Sequence, residues 1–420
     1  MSRLCGAMRG RDLRLLVTGS TVCLVGDGIY GVAMAVAVLR VGGSAGALAS
    51  VAVVNLVPRV LFGLYGGVLA DRVSRRAVLL ACDLVRLVVV AAMGLLLLHG
   101  DPPLWVLMAL VAPLGAASGA AAPAFGAIVP DLVEPDELLA AGGLLGSVSP
   151  LAQMVAGPVL GGVLASYDVG LALLVDAATF GISAICVLLL SPRRQHSGEV
   201  RPLPWAQFRE GLAYVRTRPW LATNLLAGLV ITFTVSGAMT MLPFLVSRGY
   251  HAPTAAFGYL LAAGGVAATL TAIVVGSRTP PRRPLRASYA FYVVGLGSVA
   301  GLGLTSSALV GAACLVVFFV GATAGNQLQD TVLGTQVPRE LRGRVSSLDW
   351  VAATAASPVS VVVAASAADH VGIGATYVVA GGLASAASAV GLLMLSRTGE
   401  PTGPETRQEA TAAHEVSPMS

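Results

Sequence analysis

Hydrophobic residues fall in twelve long runs separated by short polar breaks. A hydrocarbon core of roughly 30 Å requires about 20 apolar residues in a helix, because lipid leaves backbone polar groups to pair within the segment. The pattern therefore predicts an all-α membrane protein with twelve transmembrane helices. The predicted helices cover residues 15–39, 46–70, 77–98, 103–128, 138–165, 169–190, 222–246, 254–276, 288–305, 308–333, 345–368 and 372–395.

Composition excludes a soluble globular protein and gives no sign of a cofactor. The 420 residues are 56% hydrophobic and only 11% charged. The cysteines are scattered and the histidines lie in breaks or tails, so we expect neither a disulfide framework nor a metal. The net charge of +5 comes from arginines beside apolar runs, which gives no indication of nucleic acid. We also expect no cleavable signal peptide, because the first apolar run is too long.

The arginines predict the orientation in the membrane. An even number of helices places both termini on one side. Nearly all arginines in the breaks and tails lie on that side, whereas the other set of breaks holds only Arg40 and Arg248. Positive residues favour the cytoplasmic side, so we expect a cell-membrane protein with both termini in the cytoplasm.

The longest interior break divides the chain into two halves. We predict an N-terminal six-helix bundle (1–190), a cytoplasmic linker (191–221), a C-terminal six-helix bundle (222–396) and a disordered tail (397–420). In the linker, Trp205, Phe208, Leu212 and Val215 recur at helical spacing. This spacing indicates a short helix on the membrane surface, and a solvated connector is the alternative.

A short duplicated sequence supports the division. Residues 135–138 read Pro-Asp-Glu-Leu after the fourth predicted helix, and residues 338–341 read Pro-Arg-Glu-Leu after the tenth. The two stretches hold the same position in each half, as expected for parallel repeats of a transporter.

The break between the second and third predicted helices carries a specific motif. Residues 67–76 read Gly-Val-Leu-Ala-Asp-Arg-Val-Ser-Arg-Arg, which resembles the signature loop of the major facilitator superfamily, with Ser74 in place of the usual second glycine. A small Gly67 allows close helix approach, and Asp71 can face a helix N-terminus or a neighbouring arginine. The resemblance assigns a gating role to Gly67, Asp71, Arg72, Arg75 and Arg76.

The fifth predicted helix carries a second motif of this family. Residues 157–162 read Gly-Pro-Val-Leu-Gly-Gly, similar to the antiporter motif that marks exporters in the superfamily. Small residues and a proline allow a close, bendable helix crossing. The resemblance assigns that role to Gly157, Pro158, Gly161 and Gly162, and an ordinary packing cluster is the alternative.

Three further stretches, 26–30, 130–138 and 337–345, resemble the enterobactin-exporter and macrolide-efflux branch. The resemblance implies the two-bundle major facilitator fold and proton-driven efflux of drugs or siderophores. The arginine buried on helix four of other proton-coupled exporters has no counterpart here. Coupling of transport to protons must therefore depend on other residues.

Charged residues inside the apolar runs are the best candidates, because burying an ionisable group in a bilayer costs several kcal/mol. Asp27 and Arg59 both lie roughly 18 to 20 Å from the cytoplasmic ends of their helices, counted at 1.5 Å per residue. We expect them to pair near the midplane and to separate when Asp27 takes up a proton. A static ion pair is the alternative.

Three other charged residues lie on helices three and six. Asp83 and Arg86 are three positions apart, and we expect a structural gate that extends the network of the signature loop. Asp176 is expected to stand alone near the outer third of the membrane. It is a candidate proton carrier, although helix six often only supports this fold.

The resemblance also implies a substrate cavity lined by helices one, four, seven and ten. Aromatic, Met and amide side chains suit adaptable amphipathic ligands, and plain packing is the alternative for each. The residues selected are Tyr30, Met34, Phe125, Phe233, Met239, Met241, Phe319, Asn326 and Gln327.

The leading hypothesis is a monomeric secondary transporter that exports amphipathic small molecules in exchange for protons by alternating access. Uptake of a nutrient on the same fold is the main alternative. An intramembrane enzyme is disfavoured because the loop histidines are isolated, and the phosphate-binding loop of ATP motors is absent from the sequence.

Overall fold

The computed structural model describes residues 10–72, 74–132, 148–191, 212–337 and 339–398. Twelve long helices within these residues confirm the predicted all-α architecture. They are α1 (Arg11–Gly42), α2 (Ala45–Arg72), α3 (Arg75–His99), α4 (Leu104–Leu132), α5 (Val148–Tyr167), α6 (Val169–Leu188), α7 (Pro219–Thr240), α8 (Thr254–Gly276), α9 (Pro284–Leu304), α10 (Ala308–Gln336), α11 (Arg339–Val371) and α12 (Ile373–Thr398).

Length and composition allow these helices to cross a membrane. Eleven contain an apolar stretch of at least 18 residues, and α11 adds the shorter apolar stretch Ala356–Val371. Large apolar side chains such as Val88, Leu226 and Leu393 face outward and are 61–66% exposed. Lipid, not water, is the solvent that such a surface fits.

Polar side chains and glycine set the helix boundaries. Ser74 caps the start of α3, where its side chain accepts a hydrogen bond from the Ala77 amide at 3.1 Å. The residue that departs from the signature pattern therefore supplies an N-cap. Asp168 caps α6 in the same way through the Leu171 amide. Gly43 ends α1 with a φ of 63°, a left-handed conformation that favours glycine.

The halves α1–α6 and α7–α12 are built alike. We call the membrane face where α1 begins and α12 ends the terminal face. There Arg76, near the start of α3, donates to the Val187 carbonyl of α6 at 3.0 Å. Arg286, near the start of α9, donates to the Leu395 carbonyl of α12 at 3.3 Å. The third helix of each half thus holds the end of the sixth.

Close helix crossings repeat as well. Gly94 of α3 faces Gly170 of α6, where an added methyl group would lie 2.9 Å from the Gly170 carbonyl oxygen. Gly303 of α9 faces Gly374 of α12, where an added methyl group would collide with the Gly374 carbonyl oxygen. These pairs give the register between the halves and support the duplication inferred from the sequence.

At the membrane face opposite the terminal face, side-chain contacts tie the region of the first helix to that of the third helix in each half. In the N-terminal half, Arg40 at the end of α1 donates to the Leu97 carbonyl of α3 at 3.5 Å and forms an ion pair with Asp101. In the C-terminal half, Tyr250 after α7 donates to the Leu302 carbonyl of α9 at 2.8 Å. One tie is charged and the other is neutral.

The two halves meet along α5 with α8 and along α2 with α11. They also touch at the opposite face, where Arg248 donates to the Gly43 carbonyl at 3.4 Å. The predicted surface helix rests on Trp205 and Phe208, which lie outside the described residues. Residues 135–138, Pro338 and the tail from 399 lie outside them too, so the predictions there stay predictions.

Candidate functional site

A cavity of about 310 Å³ lies inside the N-terminal half, and we call it the N-cavity. All six helices of that half contribute to its lining. Its polar lining consists of Ser20, Cys23, Asp27, Arg59, Asp83, Arg86, Ser118, Ser149, Ser183 and Cys186. Residues selected from the sequence for three different roles, namely coupling, gating and substrate contact (Phe125), thus share one space.

Asp83 and Arg86 form a compensated charged pair in the wall of the N-cavity. Ser183 of α6 donates to Asp83 Oδ2 at 2.7 Å, and Arg86 Nη1 lies 3.8 Å from Asp83 Oδ1. The guanidinium also lies over the Phe180 ring of α6, 5.4 Å from its centroid, and 3.8 Å from Cys23 Sγ of α1. The pair therefore links α3 to α1 and α6.

Asp27 and Arg59 face the N-cavity from α1 and α2. The expected direct ion pair is not formed between these two described residues, and the expectation is corrected to a shared cavity. Sequence position fixed their height in the membrane, but not the rotation of each helix about its axis. As a result, the Asp27 carboxyl group stays accessible from the cavity.

Asp176 lies beside Asp27, so the expectation that it stands alone is corrected. It is fully buried on α6 and packs against Gly26 of α1, where an added methyl group would collide with Asp176 Oδ1. The Thr179 hydroxyl donates to the Asp176 carbonyl oxygen at 2.7 Å and lies 3.4 Å from Oδ1. Within the described part of the chain, Oδ2 has no hydrogen-bond partner.

The glycines of the α5 motif face α1. A methyl group added to Gly157 would lie 2.6 Å from Gly28 Cα, and one added to Gly161 would lie 2.9 Å from Ile29 Cα. Both distances are far below van der Waals contact. The backbones therefore meet one residue away from Asp27.

The same motif also faces the C-terminal half. A methyl group on Gly162 would lie 3.2 Å from Gly258 Cα of α8, and the Pro158 carbonyl oxygen packs against Gly258. A π-helical segment, Ala152–Ala156, directly precedes the motif. The motif thus lies between α1 and α8, next to a helix irregularity of the kind often found at functional sites.

The structure describes only part of the signature loop, residues 67–76. Arg76 donates to the Val187 and Leu188 carbonyls of α6, and both Arg75 and Arg76 are half-buried. The surroundings of Gly67 and the side chains of Asp71 and Arg72 lie outside the described set, so a connection from Asp83 and Arg86 to the loop stays a prediction.

Two further cavities lie between the halves. The first, which we call the central cavity, has about 510 Å³ and is lined by α2, α4, α7 and α11. Arg59, Ser118 and Ala122 line both this cavity and the N-cavity. The charged cavity is therefore adjacent to the space between the halves. The second cavity has about 260 Å³, lies nearer the opposite face, and includes Tyr30, Met34 and Met239 in its lining.

A cavity of about 310 Å³ also lies inside the C-terminal half, and we call it the C-cavity. Faces of α7, α9 and α10 line it, with Asn326 among them. Thr232 lines both the C-cavity and the central cavity. The full lining is Gly228, Ile231, Thr232, Val235, Ser236, Tyr289, Tyr292, Leu296, Phe318, Ala322, Asn326 and Gln329.

The N-cavity and the C-cavity are equivalent by the repeat. The shift in numbering that takes Gly94 to Gly303 also takes Asp27 to Ser236 and Asp83 to Tyr292. For the fourth helix, the shift that takes Gly170 to Gly374 takes Ser118, Ala122 and Phe125 to Ala322, Asn326 and Gln329. The N-terminal member of each pair lines the N-cavity, and the C-terminal member lines the C-cavity.

Four residues selected for the substrate cavity lie elsewhere. Met241 is fully buried in the core, and the Phe319 ring packs against Gly264 and Phe318. Phe233 is in none of the cavity linings above, and its carbonyl accepts a hydrogen bond from Ser360. Gln327 donates to the Ala272 carbonyl of α8 at 3.3 Å, outside the C-cavity. Each residue turns a helix by about 100°, so adjacent positions such as 326 and 327 face different neighbours.

Sequence reasoning missed most of the C-cavity. Tyr289, Tyr292 and Gln329 carry no charge, so they produced no signal of an expensive buried group. The i, i+3 spacing of Asn326 and Gln329, inside an otherwise apolar helix, was the available signal.

Comparison with known proteins identifies the family. The model of the Major Facilitator Superfamily matches residues 16–360. The chain belongs to the major facilitator superfamily. It is therefore a multi-pass membrane transporter and not an enzyme, as the motifs in α2, α3 and α5 implied.

Several relatives of this superfamily member are efflux proteins. The multidrug efflux pump Tap of Mycobacterium tuberculosis is 26% identical over 382 residues, covering 86% of this chain and 88% of Tap. Macrolide efflux protein A of Streptococcus pyogenes is 22% identical over 375 residues, covering 87% and 91%. The enterobactin exporter EntS of Shigella boydii is 28% identical over 298 residues, covering 68% of each chain. The resemblance to the enterobactin and macrolide branch is confirmed.

Solved structures share the fold across different transporters. A bacterial homologue of the iron transporter ferroportin in an inward-facing state matches with a TM-score of 0.67 at 18% identity, covering 91% of this chain and 98% of that one. The nucleoside transporter NupG matches with a TM-score of 0.68 at 10% identity, covering 91% and 99%. These similarities confirm the fold alone.

Proposed function

We propose that the protein exports amphipathic small molecules in exchange for protons, as a monomer with both termini in the cytoplasm. The observation that carries the proposal is the N-cavity, where Asp27 and Arg59 face a space adjacent to the central cavity. The efflux relatives support the direction of transport, and the arginine asymmetry supports the orientation.

Asp27 is the proposed proton-coupling group. When it is ionised, it is attracted by both Arg59 and Arg86, which line the same cavity. This attraction favours the arrangement in which the N-cavity is small. A proton on Asp27 removes the attraction and releases the second arrangement, which an alternating-access cycle requires. The Asp83–Arg86 pair is already compensated and keeps α1, α3 and α6 together during the change.

Asp176 is proposed as a neutral partner of Asp27. An ionised carboxylate costs several kcal/mol in the membrane unless a cation faces it. Asp176 forms no ion pair with a described residue, and its Oδ2 has no partner in the described part of the chain. A protonated Asp176 avoids that cost and places a second proton-bearing group next to the Asp27 segment of α1.

The α5 motif is the proposed pivot. Gly157 and Gly161 lie against α1, while Gly162 lies against α8 of the other half. Small residues let these backbones slide and rock without side chains that interlock. Movement at α1 can therefore pass to the contact between the halves.

Export assays on Asp27→Asn test the proposal. In an efflux-deficient host carrying a drug and metabolite panel, the wild-type protein is expected to lower accumulation and an uncoupler is expected to abolish the effect. Asp27→Asn is expected to abolish it at unchanged expression. Asp101→Asn serves as the matched control, because it removes an exposed carboxylate at the opposite face.

Two results would overturn the proposal. Normal uncoupler-sensitive export by Asp27→Asn would remove the coupling assignment. Accumulation of a labelled compound in intact cells, in place of depletion, would show uptake on this fold.

A further inference from the structure

The C-cavity is a neutral compartment at the position that the repeat makes equivalent to the charged N-cavity. None of its twelve lining residues is charged. Where the N-cavity has Asp27 and Asp83, the C-cavity has Ser236 and Tyr292. Duplication has therefore produced two sites of about 310 Å³ with different chemistry.

Polar groups converge at one end of the C-cavity. The Tyr292 hydroxyl lies 2.5 Å from Asn326 Oδ1 and 2.7 Å from Gln329 Oε1. The Tyr289 hydroxyl donates to Asn224 Oδ1 at 3.3 Å, which fixes that ring, and the two tyrosine rings meet edge to face with centroids 6.0 Å apart. The polar end is thus held rigid by its own hydrogen bonds.

Donors remain available at that end. The single hydrogen of the Tyr292 hydroxyl can be donated to only one of the two amide oxygens, so the other amide pairs with the hydroxyl oxygen through one of its N–H groups. An amide side chain carries two N–H donors, so each amide keeps at least one N–H that Tyr292 does not use. Asn326 is also exposed to the cavity. These nitrogens can therefore donate to oxygen atoms of a ligand.

The other end of the C-cavity is apolar. Ile231, Val235, Leu296 and Phe318 line it, from α7, α9 and α10. A cavity with a few fixed polar groups and an apolar remainder is the usual form of a small-molecule site. Its volume suits a ring-sized fragment, and Thr232 connects it to the central cavity, where the remainder of a larger ligand has space.

We propose that the C-cavity binds the uncharged, oxygen-bearing part of the transported molecule, with carbonyl, ether or hydroxyl oxygens at Asn326 and Gln329 and apolar skeleton toward Phe318. The inference rests on the proposed function and names its substrate class. Charged substrates are disfavoured, because the compartment offers a cation or an anion no counter-charge.

Equilibrium binding tests the proposal without a proton gradient. The purified full chain in lipid nanodiscs is titrated with uncharged oxygen-bearing probes (chloramphenicol, digoxin and podophyllotoxin) and with cationic probes (tetraphenylphosphonium and ethidium). The wild-type protein is expected to bind at least one uncharged probe more tightly than either cation. Asn326→Leu and Tyr292→Phe are each expected to weaken that binding about tenfold and to change cation binding less than twofold.

Gln327→Leu is the matched control, because the adjacent amide on the same helix contacts α8 and lies outside the C-cavity. It is expected to leave binding of every probe unchanged. Thermal unfolding verifies that each variant is folded, and Tyr292→Phe keeps the ring in place if Asn326→Leu does not fold.

Three results would overturn the inference. They are failure of the wild-type protein to bind any uncharged probe, unchanged affinity in folded Asn326→Leu and Tyr292→Phe, or an equal loss in Gln327→Leu. Because no gradient is present, these results are independent of Asp27. Loss of coupling with intact probe binding would instead contradict the proposed function alone.

Discussion

The N-cavity and the C-cavity occupy equivalent places in two similar bundles and have about the same volume, yet one is charged and the other is neutral. The fold alone does not explain the difference, because equivalent positions on the first, third and fourth helices of each half line both cavities. It comes from a few positions, such as Asp27 against Ser236 and Ala122 against Asn326. A duplicated scaffold can therefore carry one charged and one neutral cavity by changing side chains alone.

The same contrast extends to the opposite face. The N-terminal half ties α1 to α3 through Arg40 and its ion pair with Asp101, whereas the C-terminal half uses the Tyr250 hydroxyl. Burial raises the pKa of Tyr250 to about 12. The hydroxyl donor is thus kept at every physiological pH, because the folded state loses this contribution only as the pH rises toward that value.

The largest expected effect comes from a substitution in the charged N-cavity. Arg59→Gln removes one of the two arginines that line the N-cavity with Asp27, so we expect gradient-driven transport to fall about 100-fold, which corresponds to about 2.8 kcal/mol of lost coupling. Binding of an uncharged probe is expected to stay within about threefold, because Arg59 does not line the C-cavity. Transport in proteoliposomes and binding in nanodiscs measure the two quantities.

Arg40→Gln is the control for the Arg59 variant, since it removes an arginine that lies outside both cavities. If Arg59→Gln transports normally, or loses binding and transport equally, the separation of roles is contradicted.

A second prediction compares helix crossings in the two halves. Gly157→Ala places a methyl group 2.6 Å from Gly28 Cα, and overpacking of this kind costs about 1–3 kcal/mol. In the C-terminal half, the Gly237 amide donates to Ser360 Oγ at 2.8 Å and the Ser360 hydroxyl donates to the Phe233 carbonyl, so Ser360→Ala loses two hydrogen bonds worth about 1 kcal/mol each. Unfolding of the purified variants in SDS measures both.

Gly126→Ala is the matched control for Gly157→Ala, because an added methyl group meets no atom within 4 Å there. A Gly157→Ala protein as stable as Gly126→Ala would show that the α1–α5 crossing is looser than the structure indicates.

A third prediction concerns how much the charged pair in the wall of the N-cavity contributes to stability. Asp83→Asn leaves buried Arg86 without its carboxylate, and breaking a buried pair costs about 3–5 kcal/mol at full strength. At 3.8 Å the pair is weaker, so we expect a loss of about 2 kcal/mol in SDS unfolding. The double variant Asp83→Leu with Arg86→Met is expected to recover most of the stability. A double variant no more stable than Asp83→Asn would contradict charge compensation.

The smallest expected effects lie at the opposite face. Arg40→Gln removes an exposed ion pair, which contributes about 0–1 kcal/mol and is screened by salt. Tyr250→Phe removes a buried hydrogen bond worth about 1 kcal/mol, and salt is not expected to change that value. Thermal unfolding at low and high salt distinguishes the two ties. Equal salt dependence would contradict the charged-versus-neutral contrast.

The sequence predicted the helices well, because apolar length is a strong signal in a membrane protein. It also placed Asp27, Arg59, Asp83 and Arg86 at heights that the structure brings into one cavity. Rotation about each helix axis was not predictable. Neighbours in space such as Gly26 and Asp176 were therefore missed.

The C-cavity escaped prediction for a different reason. Neutral polar side chains in a membrane helix cost little when they bond to one another, so Tyr292 and Gln329 do not stand out in the sequence as charges do. The repeat reveals them, because the register of the glycine crossings relates them to Asp83 and Phe125.

The central claim is that the N-cavity couples protons and the C-cavity recognises the ligand. The most direct test measures accumulation of the best-bound uncharged probe in everted vesicles with an acidic interior, for Asp27→Asn and Asn326→Leu. We predict that Asp27→Asn binds the probe but does not accumulate it, and that Asn326→Leu has a raised KM but full accumulation at saturation. Driven accumulation by Asp27→Asn, or its loss at saturation in Asn326→Leu with an unchanged KM, would contradict the account.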